Sequence, residues 1–246
     1  MAERLCQVDI AIVGGGIAGS WALTKLRQSG LNAVLFEKDA LGAGQTLAAQ
    51  GIIHGGLKYS LQGMLSKSTQ AIAAMPERWL AAIAGTGELD LTGAKVLSSS
   101  QYMFSSGALD TRIANFFASK VVGASSKQIK DFAQRPAVFQ SQEFAGNLYQ
   151  LHEPVIDVAS VLQSLLAINQ GYIFQADVQL AQQDGSFKLV LNKRQSVNAA
   201  NIVLTAGMGN QELLDKFDTG IKMQQRPLHM LVVEHDYPHP VFAHCV

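Results

Sequence analysis

The chain has almost no cysteine: Cys6 and Cys245 are the two thiols among 246 residues. Two cysteines at opposite ends give neither a disulfide framework nor metal-ligand spacing, so no metal site is expected. Charge is scarce too, at 15% of residues, and 19 basic side chains balance 19 acidic ones. A neutral chain lacks the electrostatic footprint of a nucleic-acid binder, and no nucleic-acid partner is expected. No apolar run reaches the length of a membrane span, so no transmembrane segment is expected. The N-terminus has no charged region followed by an apolar block and a cleavage site. The first glycine cluster, at Gly14, comes too early to leave room for a targeting peptide. A reducing cytoplasm is the expected compartment, with room for peripheral membrane association. What is present is a chain 48% hydrophobic, long enough for one large domain or two smaller ones around a real core.

The strongest local signal runs from Val8 to Gly19. Val8, Ile10, Ala11, Ile12 and Val13 read as a strand buried on both faces. Gly14, Gly16 and Gly19 follow at the G-x-G-x-x-G spacing. That spacing allows a tight turn, close backbone approach to a pyrophosphate, and close packing of helix on strand. Ile17, Ala18, Trp21, Ala22 and Leu26 then recur at helical spacing, and Gly30 stands where a C-terminal cap belongs. A second apolar run, Ala33 to Phe36, ends at Glu37, an acid placed to accept hydrogen bonds from an adenosine ribose. Strand, glycine loop, helix, strand and acid in this order predict an α/β dinucleotide-binding fold.

Glu37 is followed by Gly42-Ala43-Gly44-Gln45-Thr46, where two glycines permit close backbone approach and Thr46 can donate to a phosphate or cap a helix. Next comes Gly51-Ile52-Ile53-His54-Gly55-Gly56-Leu57-Lys58-Tyr59. These segments resemble FAD-dependent oxidoreductases of the D-amino-acid oxidase type, which include glycine oxidase, sarcosine oxidase and glycerol-3-phosphate dehydrogenase. The His-Gly-Gly-Leu-Lys-Tyr run is most similar to the last of these. A third segment, Ile202 to Gly207, is a buried strand ending in Thr-Ala-Gly and resembles the family's second dinucleotide contact.

The resemblance implies a Rossmann-like FAD-binding domain of the GR2-type, made of residues 1–60 and 146–218. An α+β substrate domain, residues 61–145 and 219–246, is inserted into it. The implied FAD contacts are Gly14, Gly16, Ile17, Ala18, Gly19, Glu37, Lys38, Gly44, Gln45, Thr46, Gly51, Gly55, Val178, Thr205, Ala206 and Gly207. Val178 reads equally as a backbone contact to the adenine or as a plain core valine. Members that attach FAD through a histidine carry it just after the Gly-Ala-Gly-Ser-Thr run, where this chain has Leu47-Ala48-Ala49. Non-covalent FAD is therefore expected.

Elsewhere, residues 61–84 read as helix divided by Pro76, with Leu65, Ile72, Met75, Trp79 and Leu80 as the buried face. Residues 95–104 read as a strand and 109–122 as a helix. Residues 123–130 read as a loop and 136–151 as irregular. Asp157 is a natural N-cap for a helix carrying Val158, Val161, Leu162, Leu165, Leu166 and Ile168. Strands are expected at 172–174, 178–181, 187–191 and 200–204, the middle pair joined at Gln183 to Ser186. Residues 228–234 and 241–246 also read as strands. His229, His235, His239 and His244 read as strand and turn residues. The chain stops inside an apolar run, whereas the resembled family continues into a glycine-rich segment that contacts the flavin. That predicts a chain lacking the C-terminal part, either a fragment or a truncated product.

The expected function is oxidation of a small polar substrate by hydride transfer to flavin N5. The substrate would be an amino acid or amine, or a 2-hydroxy acid or glycerol phosphate. Oxygen, a quinone or an electron-transfer protein would accept the electrons. Lys58 and Tyr59 are the candidates to hold an anionic substrate, with Arg226 a weaker one. His54 reads either as a stabiliser of reduced flavin or substrate oxyanion, or as a structural histidine. Two alternatives stand beside this. An NAD(P)-dependent dehydrogenase would require strand and helix to alternate directly after Glu37. A non-catalytic or truncated nucleotide-binding module would show no turnover.

Overall fold

The computed structural model describes residues 6–56, 71–105, 126–183, 185–217, 219–225 and 229–245. In chain order the strands are β1 (Cys6–Val13), β2 (Ala33–Glu37), β3 (Val96–Ser98), β4 (Gln101–Phe104), β5 (Ser126–Gln128), β6 (Leu148–Leu151) and β7 (Val155–Ile156). They continue as β8 (Ile173–Gln175), β9 (Val178–Gln183), β10 (Ser186–Leu191), β11 (Gln195–Leu204) and β12 (Ala243–Cys245). The α-helices are α1 (Ile17–Gln28), α2 (Met75–Ile83), α3 (Val158–Ile168) and α4 (Asn210–Leu214). The chain divides into two compact units, Met1–Ala49 with Val158–Met230, and Gln50–Asp157 with Leu231–Val246.

The first unit is built on a six-stranded sheet in the order β8-β2-β1-β11-β10-β9. β8, β2, β1 and β11 run parallel, and β11, β10 and β9 form an antiparallel meander. Period-two alternation sends the side chains of β2 to opposite faces: Val34 and Phe36 join one core cluster, Ala33 and Leu35 the other. Leu23 of α1 is fully buried against Ile12 and Leu35. Burial on both faces is why Ile10 to Val13 of β1 and Ala33 to Phe36 of β2 read as continuous apolar runs. The chain leaves β1 through α1 to β2 on one side, while β11 pairs on the other. The carboxyl ends of β1 and β11 therefore meet in register, with Val13 opposite Leu204.

α1 and α3 are joined by a buried polar latch. The Asn169 side-chain amide donates to Thr24 Oγ1 at 2.7 Å and to the Leu165 carbonyl at 2.8 Å. Thr24 in turn donates to the Ser20 carbonyl at 3.0 Å. Asn169→Ala removes a donor from a dry site and is expected to destabilise this unit by about 1–3 kcal/mol, readable as a lower urea midpoint with unchanged slope.

The second unit carries a four-stranded sheet in the order β12-β4-β6-β5 and a two-stranded pair, β3 with β7. Phe139 anchors its core, with ring centroids 5.2 Å from Phe104 and 5.0 Å from Phe144. Residues 71–73 are helical, Ala74 turns, and α2 restarts with Pro76 in its first turn, so the proline divides the segment as expected. On its face Met75 and Trp79 are half-buried but Leu80 is exposed; Leu65 lies outside the described residues.

Several expectations change. Residues 95–104 are not one strand: β3 and β4 belong to different sheets. The break is a serine turn in which Ser98 Oγ donates to the Ser100 carbonyl at 2.6 Å. Residues 123–130 and 136–151 contain β5 and β6, which pair antiparallel. Ser-Lys-Gln of β5 has no apolar pattern to reveal it, because its strand state comes from its neighbour. β11 begins at Gln195, five residues before the expected start at Ala200. Asn192 and Lys193, both at positive φ, turn the chain tightly between β10 and β11. Residues 229–242 hold no strand, and Leu231 and Val232 are 89% exposed. An apolar run becomes a strand only when another backbone pairs with it. The helix expected at 109–122 lies outside the described residues.

Candidate functional site

In the first unit the candidate site gathers at the carboxyl ends of β1, β2 and β11. Gly14 adopts φ +116°, and a Cβ there would lie 2.4 Å from the Thr205 carbonyl carbon and 2.5 Å from the Ala206 nitrogen. A Cβ on Gly19 would lie 2.1 Å from the Gly14 carbonyl oxygen. The glycines are therefore required by backbone packed against backbone. Thr205 closes the contact: its N–H donates to the Val13 carbonyl at 2.8 Å, and its hydroxyl to the Gly14 carbonyl at 2.8 Å.

α1 starts behind this loop with Gly16 as an N-cap that brings no side chain to the helix end. The first intrahelical bond runs from Ser20 N–H to the Gly16 carbonyl at 3.0 Å. The N–H groups of Gly16, Ala18 and Gly19 precede that ladder, and Ala18 is exposed. Thr46 supplies what the cap lacks, its Oγ1 accepting from Ile17 N–H at 3.1 Å. Gly44 and Gln45, beside it, are exposed.

Glu37 ends β2 with one carboxylate oxygen accepting from Gly15 N–H at 2.6 Å and the other from Asp39 N–H at 2.9 Å. The Gly15 carbonyl accepts from Gly42 N–H at 3.0 Å. Gly15, which the spacing motif leaves as a variable position, is thus gripped on both sides. Lys38 is exposed beside Glu37. The Glu37 carbonyl accepts from Ala176 N–H at 2.8 Å, which brings the start of β9 to this edge. The side chain of Val178 is buried in the core cluster with Phe36 and Ala176, and its backbone pairs with Leu191.

Gly207, at φ +57°, turns the chain out of β11 after Ala206. Asn210 braces that turn: its Oδ1 accepts from Ala206 N–H at 2.7 Å, and its amide donates to the Leu204 carbonyl at 3.3 Å. An asparagine shortly after a Thr-Ala-Gly turn is the signal that would have found it.

The donor set suits an anionic dinucleotide. A helix N-terminus without its own cap side chain faces the ends of two parallel strands, and an acid stands at the end of the next.

In the second unit, Gly51 to Ile53 runs beside Pro154 to Ile156. Ile156 N–H donates to the Gly51 carbonyl and Ile53 N–H to the Pro154 carbonyl, each at 2.9 Å. This pairing sets His54 and Gly55 against Glu153. His54 Nδ1 lies 3.0 Å from Glu153 Oε2, and Gly55 N–H donates to Glu153 Oε1 at 2.7 Å. The Gln101 side-chain amide also donates to Glu153 Oε2. Glu153 is 6% exposed and Gln101 fully buried. Burial pushes the Glu153 carboxyl up, but hydrogen bonds from His54, Gly55 and Gln101, with the His54 charge, outweigh it and hold the group below the usual carboxylate range. The His54 ring packs against His244 of β12, with centroids 5.3 Å apart.

Sequence reasoning missed Glu153 and Gln101. An acid set between the apolar runs Leu148 to Leu151 and Val155 to Ile156 was the available sign. Lys58, Tyr59 and Arg226 lie outside the described residues.

Comparison with known proteins adds the family. The family described as FAD dependent oxidoreductase (DAO) matches residues 9–244. A relative from Pseudomonas aeruginosa, the probable FAD-dependent oxidoreductase PA4991, is 39% identical over 242 residues, covering 97% of this chain and 61% of that protein. Its crystal structure superposes with a TM-score of 0.74 at 32% identity, over 99% of this chain and 60% of the other. Glycine oxidase from Geobacillus kaustophilus superposes with a TM-score of 0.67 at 16% identity, over 86% of this chain and 58% of the other, a likeness of fold. The chain thus spans about three fifths of the length of these relatives.

Proposed function

The chain belongs to the DAO family of FAD-dependent oxidoreductases, and on that premise we propose that its first unit holds FAD non-covalently and its second contributes to oxidation of a small polar substrate. The observation that carries this reading is the register of β1 with β11, which sets Gly14 against Thr205 beside the open N-terminus of α1. Gly16, Ile17, Ala18 and Gly19 would take the pyrophosphate, Glu37 with Lys38 the ribose, and Gly44, Gln45 and Thr46 the adjoining phosphate. Thr205, Ala206 and Gly207 would line the opposite side, and the Val178 backbone the adenine edge.

When bound, FAD supplies the two-electron acceptor for a substrate hydride. The chain's own part is position and charge. His54 would face the reacting centre, and Lys58 and Tyr59 would hold a substrate anion. Glycine oxidase among the structural neighbours supports a CH–NH substrate; the His-Gly-Gly-Leu-Lys-Tyr run supports a CH–OH one. A second reading, a flavin-binding part that needs more chain to turn over, is supported by the three-fifths coverage of the relatives.

The test is an absorption spectrum of the purified chain, native and after acid precipitation. Flavin bands that pass into the supernatant are expected. A colourless chain that FAD cannot reconstitute overturns the cofactor reading. Anaerobic bleaching by glycine or sarcosine, against lactate or glycerol 3-phosphate, then separates the substrate classes, and no bleaching supports the second reading. Thr46→Val strips the acceptor from Ile17 N–H. It also removes the hydroxyl that would donate to the phosphate, a hydrogen bond worth about 1 kcal/mol, so FAD should bind about fivefold more weakly in a fluorescence-quenching titration.

A further inference from the structure

We propose that Glu153 is a positioning residue that keeps the His54 proton on Nδ1, leaving Nε2 as the nitrogen that accepts a proton from the substrate's hydroxyl or amine. The inference rests on the reading that His54 serves the chemistry.

Two donors, the Gly55 N–H and the Gln101 amide, converge with His54 Nδ1 on one buried carboxylate. Gly55 N–H can only donate, so Oε1 is an acceptor; Oε2 receives the Gln101 amide and faces His54 Nδ1 at 3.0 Å. A carboxylate withdrawn from water needs all of these donors, and it offers Nδ1 an acceptor and nothing else. The ring must therefore present N–H toward Glu153. The lowered proton affinity of Glu153 agrees with this. Neutral histidine carries one ring proton, so a proton held on Nδ1 makes Nε2 the basic nitrogen. The logic is that of a base oriented by a carboxylate on its far side. The His244 ring lies tilted against it, with centroids 5.3 Å apart. Among the described residues, the titratable groups placed against one another here include Glu153, His54 and His244.

In the step this serves, the substrate O–H or N–H bond breaks and an Nε2–H bond forms, giving an imidazolium whose charge Glu153 balances. FAD, when bound, would supply the two-electron acceptor for the substrate's C–H hydrogen and its electron pair, leaving a C=O or C=N bond and the proton on Nε2.

The test is a long-range proton–nitrogen NMR correlation on the full chain at alkaline pH, where imidazoles are neutral, with His54 assigned by the signals lost in His54→Asn. Wild type should show a protonated Nδ1 and a bare Nε2. Glu153→Gln, which sets an amide donor against the Gly55 and Gln101 donors, should shift the population toward Nε2–H. In the FAD-loaded enzyme the same variant should lower kcat about 100-fold with KM within about threefold. A wild-type ring protonated on Nε2 overturns the proposal without needing any variant to fold. So does a Glu153→Gln enzyme with unchanged kcat. A colourless chain that still shows protonated Nδ1 overturns the cofactor reading and supports the tautomer assignment.

Discussion

Gly14→Ala is expected to cost the chain both its FAD and much of its stability. The added methyl would meet the Thr205 carbonyl carbon at 2.4 Å and the Ala206 nitrogen at 2.5 Å, on a residue already at φ +116°. Neither neighbour is the flexible end of a side chain that could swing away. Both are backbone just past β11, held by the Thr205 N–H bond to the Val13 carbonyl and the Ala206 N–H bond to Asn210 Oδ1. Backbone strain at such a φ costs about 1–3 kcal/mol, and forced overpacking adds about as much. At about 4 kcal/mol in total, the Tm should fall by about 8–15 °C. Relief would come from prying β1 from β11, which spreads the loop and tips the α1 amides away from a pyrophosphate. FAD affinity should fall at least about 100-fold. Gly209→Ala is the matched control: its Cβ would meet Ala206 Cβ at an ordinary 3.4 Å, so the Tm should not move. A Gly14→Ala protein that melts with wild type and binds FAD as tightly would show that the close approach at this turn is not required.

The second large effect is at Glu153. Glu153→Ala would strand the Gly55 N–H and the Gln101 amide without their shared acceptor, and free the His54 ring. Each buried donor left unsatisfied costs about 1–3 kcal/mol, so the second unit should lose about 3–5 kcal/mol in urea denaturation at neutral pH. The loss should also depend on pH, with a definite sign. The folded-state pKa of Glu153 is depressed below its ordinary 4.5. The unfolded chain therefore binds the proton more readily, and the stabilisation is full above the unfolded value. It drains away as pH falls through the folded one. As pH falls from neutrality through the folded value, wild type should shed stability faster than Glu153→Ala, and the two curves should draw together in acid. Parallel curves would mean that Glu153 titrates alike in both states and that its hydrogen bonds add nothing specific to the ionised form.

How far each feature could be read in advance depends on how local its cause is. β1, the glycine turn, α1, β2 and Glu37 all lie between Cys6 and Glu37, and each is announced by its own residues. A two-sided buried strand must be apolar throughout, a turn against backbone must be glycine, and an amphipathic helix repeats every 3.6 residues. The failures have the opposite character. β5 is Ser-Lys-Gln and is a strand because β6 lies beside it. Leu231 to Val233 has strand composition and no strand, since no described backbone pairs with it. Glu153 reads as an ordinary acid before a proline, and what makes it notable is His54, 99 residues away, and Gln101, 52 residues away.

By itself the sequence determined an α/β dinucleotide-binding frame of the DAO type, with the glycines and acid that the proposed pyrophosphate and ribose contacts would use. Chain geometry between near neighbours dictates those residue types, so they can be recognised without knowing what lies across the fold. Only the tertiary structure decided that Thr205 closes on Gly14, that Glu37 and Gly42 grip Gly15, and that Glu153 orients His54. Each of these is a hydrogen bond between groups far apart or unmarked in the chain. A donor or acceptor has no assigned partner until folding brings one within about 3 Å and removes the water that would otherwise satisfy it.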